Sequence, residues 1–126
     1  MVKTVHDDVL DAALNYIKNN GDRLCICSAQ PTSYTEAITT YKLAILTIDS
    51  ADYTGPSNGD ASGRKIRINA QTGITVDSSG DAVYVAIAKS TATTALLYVT
   101  SCTTQTLTSG NTVNTPVWDI EILDPT

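Results

Sequence analysis

The residues that could carry out chemistry are few and scattered. His6 is the only histidine among 126 residues, and it stands beside Asp7. Nucleophilic catalysis needs a serine, cysteine or threonine, a base and an orienting acid converging in space. Ser and Thr abound here, but no Gly-x-Ser-x-Gly elbow occurs. His6 is therefore read as a helix-start residue, and no catalytic residue is expected. Asp7, Asp8 and Asp11 crowd the start of one predicted helix, where the dipole favours negative charge. Asp49, Asp52 and Asp60 lack the tight oxygen-ligand alternation of a calcium loop and its closing Glu. Asp119, Glu121 and Asp124 alternate with Trp118, Ile120 and Ile122, the pattern of a strand with one solvated face. Gly55-Pro56-Ser57-Asn58-Gly59 has no Lys-Ser or Lys-Thr behind it and is not a phosphate loop.

Cys25, Cys27 and Cys102 are an odd set. Cys25 and Cys27 share one strand face, too close in sequence for a relaxed mutual bridge. One histidine does not complete a zinc site. They are read as small reduced side chains, with a late pairing of Cys102 left open. No metal and no cofactor is expected.

The elements that would position these residues are clearer. Val9, Leu10, Ala13, Leu14 and Ile17 recur at helical spacing and predict an amphipathic helix over 5–19. Thr4 and Asp7 resemble a capping box, with Asp replacing the usual Glu or Gln. Asn20-Gly21 reads as a left-handed stop. Beyond Gly21 the chain reads as strands. Residues 23–28 alternate, with Leu24 and Ile26 on one face and the two cysteines on the other. Residues 33–40 are ambiguous, with Ser33 and Glu36 placed to cap a short helix bearing Ala37 and Ile38. Residues 41–48 read as a strand, and 49–63 as a long polar loop. Ile66 and Ile68 face inward in a strand over 65–70. Residues 74–77 form a short strand ahead of the Ser78-Ser79-Gly80 turn. Val83, Val85 and Ile87 alternate with Tyr84, Ala86 and Ala88, as in a central strand. Further strands fall at 96–102 and, after the Ser109-Gly110-Asn111 turn, at 113–123. Trp118 is read as core. Short strands with Gly and Asn turns predict a mainly β protein: a β-sandwich or jelly-roll-like domain over 22–126, with the helix and its cap over 1–21 packed on or beside it, in one structural domain.

Composition narrows the function. Charged residues are only 17% and apolar ones 42%. A neutral, hydroxyl-rich surface suits close packing against neighbours. The net charge of -5 disfavours nucleic acid, because an acidic chain gains nothing from counterion release. No apolar run reaches the roughly twenty residues that span a membrane. The opening residues lack the apolar run of a signal peptide, so folding in the cytoplasm of the producing cell is expected.

Three stretches carry a resemblance. The first runs His6-Asp7-Asp8-Val9-Leu10-Asp11-Ala12-Ala13-Leu14 into Asn20-Gly21-Asp22-Arg23-Leu24-Cys25-Ile26-Cys27. The second is Pro31-Thr32-Ser33-Tyr34-Thr35-Glu36-Ala37 with Tyr41-Lys42-Leu43-Ala44. The third is Leu107-Thr108-Ser109-Gly110-Asn111-Thr112-Val113 with Trp118-Asp119-Ile120-Glu121-Ile122. Together they resemble small virion structural proteins of tailed bacteriophages and prophages. The resemblance implies a virion component, made in the host cytoplasm, with no enzymatic residues to carry over. Within that class a head decoration protein is favoured, contacting itself and the major capsid protein. Neck, tail or fibre attachment is the alternative. The expected contact residues are Val9, Leu10, Leu14 and Ile17 on the helix and Tyr53, Pro56 and Asn58 on the 49–63 loop. Arg64, Lys65 and Arg67 are expected to meet a neighbour's acidic strand. A reading of another class is a carbohydrate-binding β module using Tyr34, Tyr41, Tyr53, Tyr84 and Tyr98, although these show no common spacing.

Overall fold

A computed structural model describes residues 2–126. One helix, α1 (Asp7–Asn20), precedes nine strands: β1 (Arg23–Cys27), β2 (Lys42–Thr47), β3 (Tyr53–Asn58), β4 (Arg64–Ile68), β5 (Gln71–Thr75), β6 (Gly80–Lys89), β7 (Ala95–Leu107), β8 (Thr112–Thr115) and β9 (Trp118–Ile122). They form antiparallel sheets in the orders β2-β1-β6-β7, β3-β4-β9 and β5-β8. The predicted mainly β, sandwich-like architecture with one N-terminal helix is what the chain adopts.

Alternation explains which side chains face inward. β1 sends Leu24 and Ile26 into a central apolar core and Cys25 and Cys27 into a smaller cluster on its other face. β6 lies between β1 and β7, as its two-sided pattern predicts. Ala82 and Val85 join the central core, while Ala86 and Ala88 join the smaller cluster. Residues 82 and 85 join one core despite opposite parity, at the point where the β6–β7 pairing is irregular, between Ala82 and Tyr84. From the other sheets come Ile66 and Ile68 of β4 and Ile120 of β9, all buried.

The helix begins at Asp7, not at residue 5. Its N-cap is His6, whose Nδ1 accepts from the Asp8 amide at 3.1 Å. Thr4 lies two residues too early to cap it. Gly21 ends the helix with φ -76°, so the predicted left-handed stop is not formed. Glycine is needed there for space: a Cβ would stand 2.5 Å from Ile87 Cγ2 and 2.6 Å from the Tyr53 hydroxyl. Leu14 belongs to the central core, and Ile17 packs against it. Asp11 holds Arg64 of β4 through two hydrogen bonds, at 2.7 and 3.2 Å. The helix and the strands therefore share one core.

Two further expectations need correction. The predicted loop over 49–63 contains a 3-10 turn (Ser50–Asp52) and all of β3. Gly55 and Pro56 concealed the strand. It survives because β3 is an edge strand, where a missing amide donor is tolerated, and its pairing is irregular between Thr54 and Ser57. The single strand expected over 113–123 is two strands in different sheets, parted at Pro116. The ambiguous stretch closes as a short π-helical turn (Glu36–Thr40), with the Ser33 hydroxyl accepting from the Glu36 amide.

Burial separates the two apolar sides of α1. Leu14→Ala should cost about 2–5 kcal/mol of unfolding free energy, as buried leucine truncations do. Val9→Ala, at a residue 61% exposed, should stay within about 0.5 kcal/mol. Urea denaturation of the two variants checks this; equal losses would mean that α1 docks differently.

Candidate functional site

The sequence candidates scatter. His6 caps α1 and is exposed, with Asp8 as its neighbour at 3.6 Å. Asp49 and Asp52 cap their own 3-10 turn, accepting from the amides of Ala51 and Asp49. Asp60 takes Lys65 at 2.6 Å. Among the described residues, no three His, Cys, Asp or Glu side chains gather as metal ligands.

The expected contact residues divide in the same way. Leu10, Leu14 and Tyr53 are buried within the chain and cannot face a partner in this conformation. The Tyr53 hydroxyl donates to Gly21 O at 2.9 Å, tying β3 to the end of α1. Ile17 and Pro56 are half-buried; Val9 and Asn58 remain exposed. Asn58 also accepts from Arg64 at 2.6 Å. The basic residues meet acids of their own chain rather than a neighbour's. Arg67 and Lys65 both reach Asp119, at 2.9 and 3.3 Å, across the β4–β9 ladder. The Arg67 guanidinium, aided by Lys65, holds the Asp119 carboxyl below the usual carboxylate range.

The tyrosines form no common platform. Tyr53 is core and Tyr98 stacks on Trp118, with ring centroids 6.1 Å apart. Tyr34, Tyr41 and Tyr84 pack around the smaller cluster on the other face of the four-stranded sheet.

What the fold does build is a cleft of about 380 Å³ between β7, β8 and β9. Each of these strands ends its sheet. The cleft floor is aliphatic, made by Ile26, Ala82, Val85, Leu107 and Val113, so it opens directly onto the core. Its rim is hydroxyl and amide: Thr100, Ser101, Thr103, Gln105 and Asn114. Tertiary register creates the opening. Ala82 pairs with Gln105 and Tyr84 with Ser101, which leaves residues 102–104 of β7 opposite Val83 alone. The extra residues bulge β7 where two of them, Cys102 and Thr103, line the cleft.

Two polar atoms are stranded there. Thr115 Oγ1 and Trp118 Nε1 are buried without a hydrogen-bond partner, and both residues line the cleft. Thr115 is 8% exposed because it alternates inward with Val113 along β8. A buried donor or acceptor left unpaired costs about 1–3 kcal/mol. β7 adds thirteen residues whose outer edge, among the described residues, makes no ladder. Free backbone groups, an aliphatic floor and unpaired donors together suit an extended polypeptide segment added as a strand.

No family model matches the chain, and no curated protein or solved structure matches it. Its reading rests on this geometry and on the sequence.

Sequence reasoning placed Trp118 as core, and it does pack against the central core. The cleft was missed. A threonine at an inward strand position, next to a proline ahead of the sole tryptophan, was the available signal.

The cysteines are free thiols. Burial pushes Cys25 up to about 12, and burial with the nearby Cys102 pushes Cys27 up to about 11. Both therefore stay protonated and inert at neutral pH. Cys102, half-buried at the cleft, is also raised by burial.

Two outcomes follow from these environments. Thr115→Val should raise stability by about 1 kcal/mol, by removing an unpaired buried hydroxyl at nearly constant shape; a urea midpoint that falls instead would mean that the hydroxyl is paired in solution. An aromatic-disulfide thiol reagent at pH 8 should modify Cys102 alone in the native protein, and Cys25 and Cys27 only in denaturant. Raising the pH should speed the native reaction as the thiolate forms. Mass analysis gives the site and order, and rapid labelling of all three would mean that the sheet face is not closed.

Proposed function

We propose that the chain is a non-enzymatic building block of a tailed-phage virion, most simply a head decoration protein that ties itself and the major capsid protein together. The observation that carries this reading is the cleft at the free edge of β7. It offers backbone groups, apolar floor and unpaired polar atoms to a polypeptide, and it brings no nucleophile, base and acid together. The resemblance of the three sequence stretches to virion proteins supports the same reading. So does the low charge, since the centres of protein interfaces are depleted of charged residues.

In a decoration role each copy contributes a modest contact to the shell. Retention then comes from many copies and from links between them, which raise the effective concentration of each contact. β7 exposes a run of hydroxyl and amide residues, Thr103 and Gln105 toward the cleft and Thr104 and Thr106 on the other face. Edge strands are ordinarily protected by charge, proline or cover. Residues 95–107 carry no charged residue and no proline. This edge is therefore suited to contact.

Copy number tests the reading. Quantitative mass analysis of purified particles should find on the order of hundreds of copies per head, whereas a closed neck ring would hold about a dozen or fewer. Thr103→Lys, which places charge at the cleft rim, should lower occupancy on the head with the circular dichroism unchanged. Complete absence of the protein from purified particles would overturn the proposal.

A further inference from the structure

The lining of the β7 cleft narrows what can fill it. Its two unpaired atoms differ in kind. Trp118 Nε1 is a donor only and needs an acceptor, whereas Thr115 Oγ1 can donate or accept. Both are closed off from bulk solvent. A purely hydrocarbon occupant would leave both unpaired. A peptide group satisfies both, because its carbonyl accepts and its N–H donates.

Charge narrows the occupant further. Among the described residues, Asp119 is the only charged one that lines the cleft. It is already held by Arg67 Nε at 2.9 Å and by Lys65 Nζ at 3.3 Å. A cationic occupant would compete with these two for one carboxylate. An anionic occupant would face that carboxylate above an aliphatic floor, where charge is poorly screened. A neutral group fits. The floor then sets its shape. Ile26, Ala82, Val85, Leu107 and Val113 offer only aliphatic contact, in a space of about 380 Å³ at the lower end of ligand pockets. That suits one branched side chain with the peptide groups beside it. In a strand laid along β7, residues two apart point to the same side, roughly 7 Å from each other. Neighbours two residues away therefore reach the rim, at Thr103, Gln105 and Asn114, where short polar side chains match.

We propose that the cleft is a recognition pocket for one leucine-like residue within an uncharged, extended segment of another protein. The branched side chain fills the floor, its peptide groups pair with Trp118 Nε1 and Thr115 Oγ1, and short polar side chains two residues to either side lie on the rim. The assignment rests on the reading of the cleft as a contact for an added strand, and it gives that strand a pattern, polar-x-Leu-x-polar without charge. Among the described residues, the exposed large aliphatic side chains of this chain do not supply it. Val2 and Val5 flank Lys3, Val9 is within α1, Val117 stands between the lining residues Pro116 and Trp118, and Leu123 adjoins Asp124.

The chain has one tryptophan, so a single indole N–H resonance reports the site. N-acetyl-leucine methylamide titrated into the isotope-labelled full chain should shift that resonance and saturate with Kd on the order of 1–10 mM, as expected for so small a ligand. The capped forms of glycine, lysine and aspartate should bind at least tenfold more weakly. Thr115→Val, which keeps the shape and removes the hydroxyl, should weaken capped leucine severalfold. Capped Thr-Thr-Leu-Thr-Thr should bind at least tenfold more tightly than capped leucine, because the β7 edge adds its own hydrogen bonds. No indole shift with capped leucine, equal binding of capped lysine or aspartate, no loss in Thr115→Val, or a pentapeptide no tighter than capped leucine would each overturn the inference. These titrations use the free protein and stand apart from copy number on heads. Leucine binding by a chain absent from particles would sink the virion reading alone, and full occupancy on heads without leucine binding would sink this inference alone.

Discussion

Closure of one apolar core between the four-stranded and three-stranded sheets is the constraint to which the other features answer. Leu24 and Ile26 of β1 and Val85 and Ile87 of β6 supply one wall; Ile66, Ile68 and Ile120 supply the facing one. Two twisted sheets cannot seal such a core at every margin, so each margin needs its own cover. α1 covers one of them. Leu14 inserts, Gly21 lets the chain pass against Ile87 and Tyr53, and the Arg64–Asp11 pair holds the helix to β4. That pair is only partly exposed and is joined by two hydrogen bonds, so it fixes orientation more than it adds stability.

The margin between β7 and the β8–β9 corner has no such cover. There the core reaches the surface, and the chain retains an unpaired threonine hydroxyl and an unpaired indole N–H. A protein shaped only for its own stability would have an aliphatic side chain at position 115. The polar group is tolerable where another polypeptide supplies its partner. This is the physical basis for reading the margin as a place of contact.

α1 shows the same division at smaller scale: Leu10 and Leu14 are buried and complete the core, while Val9 and Tyr16 stay exposed, the Tyr16 ring beneath Lys89 of β6.

Local spacing by itself determined much of this. The helix, the inward faces of β1, β4 and β9, the central place of β6 and the mainly β class all follow from period-2 and period-3.6 patterns, which depend on backbone geometry alone. Spacing misplaced what depends on neighbours. β3 was hidden because Gly55 and Pro56 have turn propensity, and only pairing with β4 overrides it. The role of Gly21 was misassigned because the crowding that requires it comes from Ile87 and Tyr53, distant in sequence. Val9 and Leu10 looked alike in the helical pattern, yet one is exposed and the other buried, since the position of β4 and β6 around α1 decides which arc turns inward. The cleft was decided wholly in three dimensions. It arises from a register shift between two long strands and a change of sheet at Pro116, and register is a property of pairs of segments that neither segment encodes alone.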